Sequence, residues 1–267
     1  MVPWMLIFLT LLHTDNLERD DTKEPVLLVG SVAPLPYSCT ERYEWEWIHD
    51  GITVGKTSIQ LVAPSGEKEA WTLDARLRWS RQGRSINLRQ RTDFHATSLK
   101  PIRTRQEKQI GALGLGERLG IVACEITGTE ARVVVQDPAA GTQIDRILPF
   151  PDRAVLLENQ CFEHWLLIAA ALIRPSEENA KTATTRRFTA LIPSEYRLLE
   201  LTLKRDRQEH IGELTLWRWS VSSSDFEAKI WLGPEGTLER YRQGPVEIRR
   251  VRPVEKTPTK EKETDGR

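Results

Sequence analysis

The sequence predicts a mostly β protein of the α+β class: a curved antiparallel sheet, an incomplete β-barrel, with one long helix packed on its concave face. Three observations support this prediction. A strand-rich pattern occurs twice, at 43–62 and 199–219, each time as two alternating strands joined through a polar turn and a Val-Gly or Ile-Gly step. A stretch with helical apolar spacing separates the two copies, and strict period-two alternation runs over residues 71–80.

The chain length sets the domain organisation. The 267 residues, 39% of them hydrophobic, suffice for one large or two small domains, and we expect one half-barrel domain at 37–252. Residues 1–14 contain an apolar run of signal-peptide length, too short to span a bilayer, and an acidic, proline-bearing linker follows at 15–36. This order favours a periplasmic or otherwise exported protein; a cytoplasmic protein with a buried first element is the alternative. The charged stretch 253–267 is predicted to be disordered.

The first half of the domain consists of strand patterns. The opening pair has Trp45 and Trp47 before the turn at 49–51 and an apolar alternation after Val54-Gly55. The alternating run 71–80 is followed by a turn at 81–83 and a second alternating run at 86–94, which together predict a hairpin. Further strands are predicted at 102–109, 120–126 and 131–136, with a turn at 137–141.

The second half begins with the predicted helix, at 153–174, with Asp152 as its N-cap and Pro175 as its stop. Its apolar stripe has the spacing of one helical face and consists of Leu157, Cys161, Trp165, Ile168 and Leu172. A polar loop follows at 176–185. Strands are then predicted at 187–192, 196–204, 213–220, 226–232 and 246–251, with a turn at 233–236.

The net charge of the whole chain is zero, but basic residues are concentrated in one part of it. The 38 basic and 38 acidic residues exclude a whole-chain electrostatic attraction to nucleic acid. The predicted hairpin nevertheless presents Arg76, Arg78, Arg89 and Arg91 on the face opposite its apolar residues. This surface could bind an anion, a lipid head group or an acidic protein partner, and a solvated outer face is the plainer alternative.

Reactive residues do not form a recognisable motif. Cys39, Cys124 and Cys161 are too few and too scattered for a disulfide framework, although one bridge is possible. Cys161 and His164 have a helical spacing that could present two metal ligands, but no second pair accompanies them, so we expect no metal and no cofactor. The glycines at 111–116 lack the phosphate-loop spacing. Because no acid, base and nucleophile set can be assembled, the sequence predicts a protein that is not an enzyme.

Tryptophan is the residue type that points to a ligand. The chain has nine, and most fall on predicted strands. On a curved sheet they could form an aromatic lining for an acyl chain or another apolar ligand. The predicted lining consists of Trp45, Trp47, Trp71, Trp79, Trp165, Trp217 and Trp219. The alternative is that the helix covers these rings as an ordinary core.

The order of elements resembles the outer-membrane lipoprotein carrier superfamily and related exported bacterial domains of unknown function. The resemblance rests on YEWEW at 43–47 with Val54-Gly55, the helix after the PFP of 149–151, FTALIP at 188–193 and IWLGPEGTLER at 230–240. It covers residues 37–252 and implies an incomplete β-barrel with a helical lid that binds lipid-like chains in the periplasm. The implied cavity would be lined by some of the strand tryptophans.

Two functions follow as expectations. The first is a non-enzymatic, exported bacterial protein that binds a lipid or another apolar ligand in a half-barrel cavity. The second is a scaffold or adaptor without a ligand, which docks an acidic partner through the basic hairpin face. Neither involves nucleic acid or an integral membrane span.

Overall fold

A computed structural model describes residues 35–39, 41–64, 70–95, 98–112, 116–152, 154–158, 160–173, 185–224 and 226–252. The predicted signal segment, nearly all of the predicted linker, the charged tail and Pro175 lie outside the described residues. Within the described part of the chain, no helix is both long enough and apolar enough to cross a membrane.

Eight antiparallel strands form the first half of the sheet, each hydrogen-bonded to the next along the chain. They are β1 (Arg42–His49), β2 (Ile52–Val62), β3 (Ala70–Arg81), β4 (Arg84–His95), β5 (Pro101–Ala112), β6 (Gly116–Thr127), β7 (Glu130–Asp137) and β8 (Thr142–Pro149). The predicted hairpin is confirmed as β3 and β4, joined at Gln82 and Gly83, which both have positive φ angles as a tight hairpin turn requires.

The second half contains the helix and seven further strands. They are β9 (Val155–Leu156), α1 (Glu163–Ile173), β10 (Thr185–Ile192), β11 (Arg197–Ile211), β12 (Leu214–Ser222), β13 (Glu227–Leu232), β14 (Leu238–Gln243) and β15 (Val246–Val251). A short 3-10 helix, Pro193–Glu195, links β10 to β11. The two repeated sequence patterns correspond to the hairpins β1–β2 and β11–β12.

All fifteen strands of the described residues belong to one curved sheet. β15 returns to pair with β1, so the ends of the domain meet in the middle of the sheet. β8 and β9 are the two end strands, and among the described residues no strand pairing joins them. An apolar cluster lies between these ends, with Phe150, Leu156 and Leu191 packed against Ala131 and Val133. The sheet is therefore an open barrel whose gap is bridged by side chains.

The main core lies between α1 and one face of the sheet, which we call the helix-side face. Phe162, Leu166 and Ile168 pack in one cluster with side chains from β1 to β4 and from β10 to β15. Trp165 of the helix contacts Tyr241 of β14 with ring centroids 5.4 Å apart. One short helix thus buries side chains from both halves of the sheet.

The helix is shorter than predicted. It begins at Glu163 rather than near residue 153, and the predicted N-cap, Asp152, lies in an exposed turn. Val155 and Leu156 instead pair in parallel with Ala190 and Leu191 of β10. Leu157 and Cys161, the first two residues of the predicted apolar stripe, have helical spacing but precede α1. Periodicity alone therefore did not show that strand pairing replaces the first turns of the predicted helix.

Three strands were missed by the prediction: β8, β9 and β14. β8 is exposed on both faces along nearly its whole length, so it lacks the alternation that marks a half-buried strand. β9 has two residues, and β14 has six with a mixed burial pattern. The other predicted strands are confirmed, and most extend beyond the predicted bounds by a few residues.

Gly55→Ala should lower the free energy of unfolding by about 1–3 kcal/mol, because the added methyl group would overpack the sheet. A Cβ at Gly55 would lie 2.5 Å from the Arg78 carbonyl oxygen and 2.9 Å from Trp79 Cα, both of which are backbone atoms. Urea unfolding measures the effect. Gly120→Ala is the matched control, since its Cβ would meet no atom closer than the Lys108 carbonyl oxygen at 4.0 Å. Equal effects of the two changes would contradict the explanation.

Candidate functional site

The start of helix α1 brings two helix-side residues, Cys161 and His164, against polar side chains of β4 and β5. The side-chain amide nitrogen of Gln90 lies 2.8 Å from His164 Nε2, and the Gln90 amide also contacts the Cys161 thiol. Gln106 donates to Cys161 Sγ at 3.0 Å. Each of these side chains is buried. The core therefore contains a compact cluster of polar side chains on the face of β4 and β5 that packs against the helix.

Two threonines complete the cluster. Thr92 Oγ1 lies 3.2 Å from His164 Nε2 and 2.9 Å from Thr104 Oγ1. Gln90 Nε2 donates to Thr104 Oγ1 at 3.0 Å. Since buried polar groups are costly unless they are hydrogen-bonded, this network holds α1 in one position against β4 and β5.

His164 is held as a neutral ring. Its Nδ1 accepts the backbone N–H of Glu158 at 3.0 Å, so in the neutral imidazole the proton resides on Nε2. Thr92 Oγ1 is the acceptor for that proton. Complete burial lowers the pKa of His164 to about 3. Both ring nitrogens are engaged, which makes this histidine a structural residue rather than an accessible base.

Glu158 ties the same region to the second half of the sheet. Its carboxylate accepts the Ser194 hydroxyl at 2.5 Å and the Ser194 backbone N–H at 2.8 Å. Ser194 belongs to the 3-10 helix that follows β10, so the carboxylate satisfies a donor at the beginning of that turn. Glu158 thus positions β10, and its own backbone positions His164.

The ionisable groups around the cluster are strongly perturbed by burial. Burial, together with the nearby carboxylates of Glu158 and Asp74, raises the pKa of Glu163 to about 8. Burial likewise raises the pKa of the Cys161 thiol well above its usual range. Burial lowers the pKa of Lys108, against the opposing attraction of Cys161 and Glu158. Such perturbation marks functional-site candidates, although structural networks show it too.

Three of the predicted lining tryptophans are core residues. Trp45 is fully buried, and its ring centroid lies 5.4 Å from that of Phe162. Trp165 is stacked on Phe226, with centroids 6.1 Å apart. Trp219 is buried in the same cluster. These rings fill the space between the helix and the sheet.

The other four are half-buried on the helix-side face. Trp71 and Trp217 lie at the margin of the main core. Trp47 and Trp79 lie next to a smaller apolar cluster that contains Cys161, and Trp47 donates its indole N–H to Thr57 Oγ1 at 2.7 Å. The six predicted tryptophans on strands therefore share one face of the sheet, and α1 divides them into covered and partly open rings.

A cavity lies beside the helix, away from the tryptophans. It has a volume of about 20 Å³ and is lined mainly by Leu99, Leu156, Leu167, Ile168 and one edge of His164. That volume is room for about one water molecule. An acyl chain would require the helix to move or would have to bind along the partly open part of the face.

The predicted basic surface lies on the opposite face of the sheet. The side chains of Arg76, Arg78, Arg89 and Arg91 are all exposed, and Arg76 lies directly across from Arg89. Asp74 contacts both, at 3.7 Å from Arg76 and 3.5 Å from Arg89. The exposure is as predicted, and a single carboxylate only partly offsets the facing pair of arginines.

Metal or disulfide chemistry finds no support in the described residues. Cys39, Cys124 and Cys161 form no disulfide in the described part of the chain, and no group of three or more His, Cys, Asp or Glu side chains there could hold a metal ion. Cys161 and His164 are close through Gln90, not as two ligands of one ion.

Sequence reasoning singled out Cys161 and His164 but missed their partners on the strands. Gln90 and Thr92 occupy helix-side positions in β4 between Leu88 and Phe94, where the alternation calls for apolar residues. Thr104 and Gln106 do the same in β5. Polar residues at the core positions of two adjacent strands are the signal that could have identified the cluster.

Comparison with known proteins gives the fold. No protein-family model matches the chain, and no curated protein matches it significantly. A solved structure similar to it is the β-barrel-like protein of a domain of unknown function, DUF1849, from Brucella abortus, with 13% identity and a TM-score of 0.50. The similarity covers 78% of this chain and 93% of that one. The chain therefore has a β-barrel-like fold, while the resemblance to lipoprotein carriers stays a prediction.

Proposed function

We propose that this protein is a non-enzymatic domain that binds a lipid or another apolar chain on the helix-side face of its open barrel, with α1 lying on the concave side. The observation that carries the proposal is the incomplete cover of that face beyond the start of α1. Trp47, Trp79 and Ile86 are only half-buried there, and Ile110, paired with Ile86, is 42% exposed. Apolar side chains left open on a concave face favour an apolar ligand.

The surroundings of this open patch also favour binding over catalysis. Cys161 and Leu88 lie behind Trp47 and Trp79 as an apolar wall. Two of the nearby polar residues are engaged, since His164 uses both ring nitrogens and Gln106 donates to Cys161. The extracytoplasmic location predicted from the sequence remains part of the proposal, because lipid-binding half-barrels of the resembled family act there.

Trp79→Glu should abolish binding of an acyl chain, because a carboxylate would have to be buried against the ligand. Native mass spectrometry of protein purified without detergent, followed by titration with the fluorescent fatty acid cis-parinaric acid, measures the effect. Ser80→Glu is the matched control, since Ser80 is the exposed neighbour on the other face of β3. Unchanged binding by a folded Trp79→Glu variant would refute the proposed site.

The adaptor function remains a second candidate because of the facing arginines of β3 and β4. Arg103 and Arg105 of β5 continue the same exposed face, so six arginines lie on three adjacent strands. Their partners Asp93 and Glu107 offset part of this charge. An acidic protein surface is the partner that such a face favours.

Reversal of charge at Arg76, Arg78, Arg89 and Arg91 to Glu should abolish association with an acidic partner and leave stability nearly unchanged, because surface charges contribute little to folding. Pull-down from a cell extract at low and high salt identifies such a partner. Charge reversal at the exposed Lys204 and Arg207 of β11 is the control. Association that is insensitive to salt would count against this function.

A further inference from the structure

Lys108 of β5 is a half-buried cation on the helix-side face, between the buried polar cluster and the open apolar patch. It lies directly across from Leu88 of β4, and residues directly opposite in an antiparallel pair point to the same face. Leu88 is buried in the small apolar cluster on the helix-side face. Side chains two positions apart along a strand share a face, so Gln106 of the polar cluster lies on one side of Lys108 and Ile110 of the open patch on the other.

The positive charge of Lys108 is only partly compensated. Within the described part of the chain its ammonium group forms no salt bridge and no hydrogen bond, and its charge interacts at longer range with Cys161 and Glu158. Cys161 is a neutral thiol at neutral pH, because burial raises its pKa well above its usual range. The Glu158 carboxylate already accepts two hydrogen bonds from Ser194. Burial lowers the pKa of Lys108, so desolvation of the ammonium group outweighs the attraction, and a further negative charge nearby would stabilise it.

The sheet leaves room for an anion beside Lys108. Gly120 of β6 lies directly across from Lys108, on the side away from Leu88, and therefore also faces the helix side. A Cβ at Gly120 would meet no described atom closer than the Lys108 carbonyl oxygen at 4.0 Å, so the space that a side chain would occupy is open. Two positions farther along β5, Ile110 is 42% exposed and pairs with the half-buried Ile86. The open space at Gly120 thus adjoins the open apolar patch.

We propose that Lys108 binds the carboxylate of a long-chain fatty acid whose chain covers the open apolar patch. The inference rests on the proposed function and names the chemical class of its ligand. One ammonium group matches the single charge of a carboxylate, and the aliphatic stem of the lysine continues the apolar surface of Ile110 up to that charge. Arg118 also lies beside the patch, across from Ile110, but its charge is offset by Asp137, whose carboxylate it contacts at 3.0 Å.

The test compares cis-parinaric acid with its methyl ester, which has the same fluorescent chain and no charge, in titrations at pH 7. We expect the wild type to bind the acid about tenfold to hundredfold more tightly than the ester, because the ester cannot form the charge-assisted hydrogen bond. Lys108→Met keeps an apolar stem and removes the charge, so it should bind the acid only as tightly as the ester. Lys56→Met, on the exposed opposite face of β2, is the matched control and should keep the preference for the acid.

A second variant tests the position of the carboxylate. Gly120→Glu places a carboxylate directly across from Lys108, in the space that the fatty acid head group would occupy. This variant should lose the preference for the acid although Lys108 is unchanged. Circular dichroism establishes that each variant is folded.

The outcomes separate this proposal from the proposed function. Equal affinities of the wild type for the acid and the ester would overturn the role of Lys108 and leave an apolar-ligand site in place. A preference for the acid that survives in folded Lys108→Met or in folded Gly120→Glu would overturn it as well. If the wild type binds neither probe, the proposed function fails together with the inference that rests on it.

Discussion

Trp45→Ala is expected to lower the free energy of unfolding by about 3–5 kcal/mol, a large share of the stability of a typical domain. Trp45 has no exposed surface, and its ring contacts those of Tyr43 and Phe162, with centroids 6.3 and 5.4 Å away. Its indole also donates to the Leu238 carbonyl oxygen, which would be left without that partner. Chemical unfolding followed by circular dichroism measures the change.

Trp71→Ala is the control for Trp45→Ala, because Trp71 is on the same face but only half-buried. It should cost less, about 1–2 kcal/mol, in proportion to the apolar area that it removes from water in the folded state. Trp45→Phe keeps a ring and loses the indole donor, so it should fall between the two. If Trp45→Ala were no more destabilising than Trp71→Ala, Trp45 would not be part of the core between α1 and the sheet.

The strands were the most predictable part of the fold, because half-burial imprints a period of two on the sequence. The alternation from Trp71 to Trp79 predicted both the extent of β3 and the exposure of Arg76 and Arg78. β8 could not be found this way, since neither of its faces is buried along most of its length. The period of two in the sequence therefore indicates that one face of a strand is buried. A strand without a buried face does not show this pattern.

The site was less predictable because its contacts join distant parts of the chain. His164 meets Gln90 across 74 positions, and Glu158 meets Ser194 across 36. Such pairs depend on the order and register of strands, which the local pattern does not specify. The same limitation applied to the helix start, where pairing of Val155 with Ala190 made a strand from residues with a helix-compatible pattern.

The beginning of α1 places two buried ionisable groups with opposite titration behaviour side by side. The pKa of Glu163 is raised from its ordinary value of 4.5 to about 8, so the fold favours the protonated, neutral carboxyl. Its contribution to stability is complete below pH 4.5 and is lost as the pH rises through 8. The pKa of His164 is lowered from 6.5 to about 3, so the fold favours its neutral ring. That contribution is complete above pH 6.5 and is lost as the pH falls toward 3.

Stability should therefore be highest at mildly acidic pH, between about 4.5 and 6.5, and Glu163→Gln should remove the loss of stability on the alkaline side. Glutamine has the shape of a protonated glutamate, so the variant should match the wild type below pH 4.5 and exceed it by on the order of 5 kcal/mol above pH 9. Chemical unfolding at a series of pH values measures both curves. His164→Gln is the complementary variant: it should be less stable at neutral pH, since it disrupts the network with Gln90 and Thr92, yet lack the steep acid side. Parallel curves for Glu163→Gln and the wild type from pH 4 to 9 would mean that Glu163 is ionised in the folded protein. In that case α1 would not be held with its first carboxyl buried against the sheet, and the helix could leave the face on which we place the apolar ligand.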